Sequence, residues 1–264
     1  MSAVRRPLII AHRGASGSAP ENTIAAFHKA VLAGANMIEL DVRLTKDFHI
    51  VVHHDRNVRR TTSGKGNIWN LTLQQLRALD AGSWADPRFH RERIPTLREV
   101  MEFLLPTNVN LNIEVKTDGD PRKHTHFEEC LILIIMEKKF EERALVSSFD
   151  HKFLKRIREL FPQIATGALY HPVRDVRKKP STLCTGIGAS AFICSRTQLR
   201  RRMIHDAHTH RLTVACYGVN VPQHFDKVLT LGVDAVVTDW PEKMIGRLTD
   251  SRYFSRSQHS IHHL

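Results

Sequence analysis

Short runs of aliphatic and β-branched residues recur along the chain, and helix-like stretches separate them. That alternation limits the fold more than any other feature of the sequence. The runs are residues 8–11, 37–42, 111–115, 144–148, 164–170, 190–194, 212–219 and 235–238. Between most of them lie segments with helical periodicity: 23–32, 127–139, 151–160, 197–209 and 221–231. A strand that returns to its sheet through a helix lies parallel to its predecessor. Eight such units in 264 residues match a closed barrel of eight strands and eight helices, which takes about 250 residues.

One segment breaks the alternation. The strand-like runs 37–44 and 49–54 are separated only by Thr45-Lys46-Asp47-Phe48. Four residues cannot make a parallel crossover, which needs about a dozen or more, so the pair must be an antiparallel hairpin. Its returning strand brings His54 back to about the level of Asp41. An irregular stretch follows. Residues 61–67 are polar and contain glycine, and Thr72 starts a helix that runs to about Asp80. Thr96, with Glu99 three residues on, forms a capping box at a further helix start. The expected fold is therefore α/β: a TIM (β/α)8 barrel with a small hairpin-containing insertion after the second strand. The barrel should occupy residues 1–250, the insertion about 43–110, and a polar, histidine-containing tail 251–264.

Hydrophobic residues make up 42% and charged residues 25%, an ordinary globular balance. The longest apolar run, residues 131–136, is far short of the ~20 residues of a membrane span. The basic pair Arg5-Arg6 leads straight into residues 8–11, too short for a signal-peptide core, so a cytoplasmic location is expected. Cys130, Cys184, Cys194 and Cys216 fit no zinc spacing and read as reduced thiols. The net charge is +12 with histidine neutral. No stretch interleaves basic and aromatic residues as a single-strand binder would, so nucleic acid is not an expected partner. A solvated basic surface that draws in anionic substrates, or touches an anionic membrane, fits the composition.

Barrel chemistry sits where strands end, and these ends share a character. The first carries His12-Arg13-Gly14, the second Glu39-Leu40-Asp41, the hairpin His54-Asp55 and the third Glu114-Val115-Lys116. Residues two apart on a strand face the same way, so Glu39 and Asp41 share a face, as do Glu114 and Lys116. Three carboxylates converging at a barrel mouth repel one another unless a cation holds them, and oxygen ligands of this kind suit Mg²⁺ or Ca²⁺. The alternative, each carboxylate paired with a lysine or arginine, stays open. His12 and His54 fall beside these carboxylates. Histidine is the usual acid–base group near neutral pH, and cleaving a phosphodiester needs a base for the attacking oxygen and an acid for the leaving one. Arg13 offers a planar, permanently charged partner for phosphate, and Lys116 a point charge. His53 alternates to the face opposite His54, and His49 lies at the far end of that strand.

In order and spacing these blocks resemble the glycerophosphodiester phosphodiesterase family. They comprise Ala11-His12-Arg13-Gly14, Pro20-Glu21-Asn22-Thr23, Glu39-Leu40-Asp41-Val42, His54-Asp55, Arg60-Thr61-Thr62-Ser63-Gly64 and Ile94-Pro95-Thr96-Leu97. Residues 79–84, 112–116, 147–149 and 232–241 add further agreement, so the resemblance runs from about Leu8 to Leu248. It implies a TIM barrel with His12 and His54 as the acid–base pair and Glu39, Asp41 and Glu114 as ligands of a divalent metal, with Arg13 and Lys116 on phosphate. It also implies attack by the free glycerol hydroxyl on phosphorus, then opening of the cyclic phosphate by water, giving glycerol 3-phosphate and an alcohol.

The seventh barrel strand departs from the family pattern. Where such proteins have a Trp-Thr-Val-Asn block, this chain has Tyr217-Gly218-Val219-Asn220. Tyr217 offers the glycerol less surface and an added hydroxyl, which bears on substrate preference. Phe149 and Asn22 are pocket candidates, with packing and helix capping as their alternatives. Two further functions stand beside the lead. One is a lysophospholipase D-type phosphodiesterase, with Trp69 and Trp84 as apolar contributors near the mouth. The other is a non-catalytic binding protein on the same fold, which loss of a histidine or carboxylate would favour.

Overall fold

The computed structural model describes residues 6–120 and 126–249; the expected tail at 251–264 lies outside the described residues. Its strands are β1 Leu8–His12, β2 Met37–Leu44, β3 Ile50–Val52, β4 Asn110–Val115, β5 Ala144–Ser148, β6 Ala165–Leu169, β7 Ala191–Ser195, β8 Thr213–Tyr217 and β9 Ala235–Thr238. All but β3 pair in parallel, in the order β1-β9-β8-β7-β6-β5-β4-β2, and β1 pairs with β2 to close the barrel. β3 pairs antiparallel with β2, Val42 opposite Val52. The backbone N–H of His53 donates to Asp41 O at 2.9 Å, so the hairpin brings His54 to the level of Asp41 as its four-residue turn requires.

The helices are α1 Ile24–Leu32, α2 Leu73–Arg77, α3 Leu97–Leu104, α4 Phe127–Glu137, α5 His151–Leu160, α6 Pro180–Thr185, α7 Arg201–Thr209, α8 Pro222–Leu231 and α9 Pro241–Thr249. Thr23 caps α1 by accepting from the Ala26 N–H, and Asp150 caps α5 by accepting from Lys152 and Phe153. The capping box of Thr96 and Glu99 is present on α3, and Thr72 makes a second one with Gln75 on α2. α2 stops at Arg77, short of Asp80. There the Asp80 carboxylate accepts from the Gly82 and Ser83 N–H groups instead and turns the chain. α6 is not apparent from periodicity. It is six residues long, opens on Pro180, and follows a loop pinned by the buried Asp175, which accepts from the His171 N–H and pairs with Lys178.

The two-residue strand repeat splits the core. Outward positions such as Ile38, Leu40, Val42, Leu111 and Ile113 pack under the helices with Phe27, Phe127 and Phe153. These phenylalanines are fully buried, each stabilising the fold by about 2–3 kcal/mol on area grounds. Inward positions Ile10, Leu169, Ile193, Ala215, Ala235 and Val237 fill the barrel. A separate apolar cluster of Val51, Val58, Ile68, Leu76, Ala81 and Ile94 supports the stretch between β3 and α3. Among the described residues, no helix is long and apolar enough to cross a membrane.

Candidate active site

The inward rows turn polar as the strands approach their C-terminal ends. Ile10 is followed two residues on by His12, Met37 by Glu39 and then Asp41, Asn112 by Glu114 and Lys116, Ala215 by Tyr217, and Val237 by Asp239. Strand register brings these ends side by side: His12 is opposite Glu39, and Asp41 opposite Glu114. The carboxylates of Glu39, Asp41 and Glu114 converge, each offering an oxygen within 4.8 Å of the others.

Both readings of that cluster meet in the structure, because cations of the chain neutralise part of it. Asp41 lies 3.1 Å from Arg13 Nε and 3.0 Å from Lys116 Nζ, and accepts from Asn22 Nδ2 at 2.9 Å. Lys116 Nζ also pairs with Glu114. Burial opposes ionisation of Asp41, but Lys116 and then Arg13 outweigh it and hold that carboxyl well below its ordinary range. Glu39 is treated differently. One oxygen accepts from the Arg13 backbone N–H at 2.9 Å, while Oε1 is buried without a hydrogen-bond partner. Burial, then the charges of Asp41 and Glu114, push its carboxyl up. An all-oxygen donor set that includes an unsatisfied buried carboxylate oxygen fits a hard divalent cation.

His12 and His54 have matching surroundings. Nδ1 of His12 lies 2.6 Å from Asp239 Oδ1, and Nδ1 of His54 lies 2.6 Å from Asp55 Oδ1. Burial favours protonation of either carboxyl, yet Asp239 is held below its ordinary value mainly by His12, and Asp55 by Arg60 and then His54. An ionised carboxylate only accepts hydrogen bonds. Each Nδ1 is therefore the protonated nitrogen, and each Nε2 is the one that can take up a proton. Burial acts against charging His12, but the hydrogen bond to Asp239 and the Glu39 charge outweigh it, so its pKa is raised. Both rings keep about a third of their side-chain surface in solvent, 32% in each case.

Supporting residues fix this geometry. Asn220 donates to Asp239 and accepts the Asp239 N–H at 2.9 Å, while Ser16 bonds His12 O at 2.7 Å. Arg60 joins Asp55 to Glu21, and Glu21 also pairs with Arg13 at 2.8 Å. Arg13, Gly14 and Asn22 all have left-handed backbones, φ 54°, 81° and 59°. Strain of this kind persists where the surroundings over-determine it. At Gly14 a Cβ would stand 2.7 Å from the backbone carbon of Ala26, so the chain passes too close for any side chain.

Asp239, Asp55 and the Arg60–Glu21 pair were not among the expected site residues. Asp239 carried a signal, since it continues the inward row of Val237. The others sit on loops, where alternation says nothing. Asn22 is not the cap of α1, which is Thr23; it bonds the side chain and the backbone N–H of Asp41 instead. His53 is buried, bonded to Asp55 O and Thr61 Oγ1, and burial pushes it down to about 4. His49 is about half exposed beside Asp47, away from the site. Phe149 and Tyr217 both pack at the top of the barrel interior, Tyr217 within electrostatic reach of Glu114. All four cysteines are free, and burial pushes the Cys184 and Cys216 thiols up to about 12.

The sequence profile of the glycerophosphoryl diester phosphodiesterase family matches residues 12–243. The chain belongs to that family. YhdW of Bacillus subtilis is 41% identical over 237 residues, covering 90% of this chain and 96% of that one. A glycerophosphodiester phosphodiesterase of Caldanaerobacter subterraneus is 37% identical over 240 residues, 91% of this chain and 97% of its own. Among solved structures, a phosphodiesterase of Oleispira antarctica in complex with the product sn-glycerol-3-phosphate superposes with a TM-score of 0.85 at 30% identity. The match covers 92% of this chain and 96% of that one. The Oleispira antarctica phosphodiesterase shares the fold of this chain.

Proposed function

We propose that this chain hydrolyses glycerophosphodiesters to glycerol 3-phosphate and an alcohol. In this reading His12 and His54 are the acid–base pair, and Glu39, Asp41 and Glu114 hold a divalent cation, Mg²⁺ or Ca²⁺. The observation that carries it is the pair of histidines, each with Nδ1 tied to a carboxylate, beside three converging carboxylates in a member of this family.

The chain's own groups suit two successive displacements. In the first, one Nε2 takes the proton of the free glycerol hydroxyl as its oxygen bonds to phosphorus. The other ring, protonated, gives its proton to the departing alcohol oxygen. A water then opens the cyclic phosphate with the two roles reversed, which returns both rings to their starting states. Asp239 and Asp55 hold the rings in the required tautomer and steady each when it carries two protons. Arg13 and Lys116 are the cations placed to meet the phosphate, and Tyr217 lines the side where the glycerol packs. The bound cation supplies positive charge against the phosphoryl oxygens.

The test is glycerol 3-phosphate release from glycerophosphocholine by protein treated with chelator, then resupplied with Mg²⁺ or Ca²⁺. Release that stops on chelation and returns with metal is the expected result. Release that chelation leaves untouched would remove the cation from the reading, and no release of glycerol 3-phosphate from any glycerophosphodiester would remove the activity.

A further inference from the structure

An open depression of about 770 Å³ has His54 in its wall, and arginines dominate the rest of its lining. Arg43, Arg56, Arg59 and Arg60 line it against only two carboxylates, Asp55 and Asp118. The arginines are not equivalent. Arg60 is taken up by Asp55 and Glu21. Arg43 is buried, its guanidinium committed to Asp118 and the His54 carbonyl. The surplus lies with the other two. Arg56 shares Asp118 with Arg43, using only Nε, at 2.6 Å, so its two terminal nitrogens have no hydrogen-bond acceptor among the described residues. The side chain of Arg59 has no protein partner among the described residues and is exposed.

Arg56 is also held in place. Its stem lies across Gly119, where φ is +80° and a Cβ would fall 2.6 Å from Arg56 Cδ. That glycine lets the guanidinium lie flat on the loop that carries Asp118. Arg43 and Arg56 share one carboxylate, and the Arg59 side chain on the same depression has no partner among the described residues; planar arginine forks of this kind match phosphate and carboxylate oxygens. The position of the depression decides what it meets. His54 belongs both to the proposed acid–base pair and to the wall of this depression.

We propose that the depression is a second anion subsite. It takes a phosphate or carboxylate carried by the alcohol half of the diester, and makes this protein selective for glycerophosphodiesters with an anionic alcohol over those with a choline-like cationic one. The proposal rests on the phosphodiesterase activity argued above. Arg56 and Arg59 are its specificity-determining residues, and they lie outside the acid–base and carboxylate machinery.

Steady-state kinetics on two substrates, glycerophosphocholine and glycerophosphoinositol 4-phosphate, with wild type, R56A, R59A and the double variant, test it. Wild type should favour the phosphorylated substrate in kcat/KM. Each single variant should lose about five- to twentyfold on that substrate, the range for one charge-assisted contact, while glycerophosphocholine turnover stays within about twofold of wild type. Both side chains are exposed, so folding should be unaffected, and either single variant stands as a test if the other misfolds. Equal losses on both substrates, or none on either, would overturn the subsite while leaving the activity standing. No turnover of any diester would remove the activity and the subsite with it. Unchanged kinetics together with lost binding to phosphatidylglycerol vesicles would assign the arginines to a membrane contact and also overturn the proposal.

Discussion

Asp239 Oδ1 lies 2.6 Å from Nδ1 of His12, joining the end of β9 to the end of the neighbouring β1. The contact fixes the tautomer of His12 and raises its affinity for a proton. D239N removes the charge and keeps the shape. The His12 pKa, followed by NMR titration of its Cε1–H, should fall, and kcat should drop by about 10²–10⁴-fold, the range that general acid–base catalysis supplies. A lowered kcat with an unmoved His12 titration would mean that Asp239 does not act through His12.

Glu39 holds a buried oxygen without a partner beside two other carboxylates. E39Q should therefore weaken Mg²⁺ or Ca²⁺ binding by at least about tenfold in calorimetry. It should leave the metal-free protein at least as stable as wild type, because one member of a repelling buried set has been neutralised. Unchanged metal affinity would remove Glu39 from the ligand set.

His53 is buried as the neutral ring, pushed down from 6.5 to about 4 by burial. Between those values the unfolded chain binds a proton that the folded ring refuses, so stability falls as pH drops through that window. The full effect is about 3 kcal/mol. H53N should flatten the difference in denaturant stability between pH 7 and pH 4 by about that amount. An identical slope in wild type and variant would contradict the assignment.

Gly14 turns the chain between His12 and α1 with φ 81°, and a Cβ there would press on the backbone of Ala26. G14A should lower stability by about 2–4 kcal/mol through strain and overpacking. It should also weaken activity, because the Arg13 N–H that bonds Glu39 shifts with it. Wild-type stability in a denaturant melt would show that the turn relaxes freely.

The barrel and much of its site were legible because both follow from short-range rules. Alternation set the strand faces, so Glu39 with Asp41 and Glu114 with Lys116 fell together, and the four-residue turn alone required the hairpin that returns His54. The helix starts at Thr72 and Thr96 were legible from capping chemistry. What escaped depends on contacts distant in sequence. The Asp239–His12 bond spans 227 positions, and Glu21 meets Arg60 across loops with no period. α6 is too short for periodicity to register, and α2 ends early because Asp80 diverts the chain into a turn.

The central claim is that His12 and His54 act as one acid–base pair, and its most direct measurement is metal-reconstituted kcat for glycerophosphocholine in H12A and H54A, beside their melting temperatures. Each ring is part-exposed at the mouth, so melting should move by no more than a few degrees, while kcat should fall at least about 10³-fold in either variant, with the double variant little worse than the singles. Turnover within tenfold of wild type in either single variant would contradict the claim.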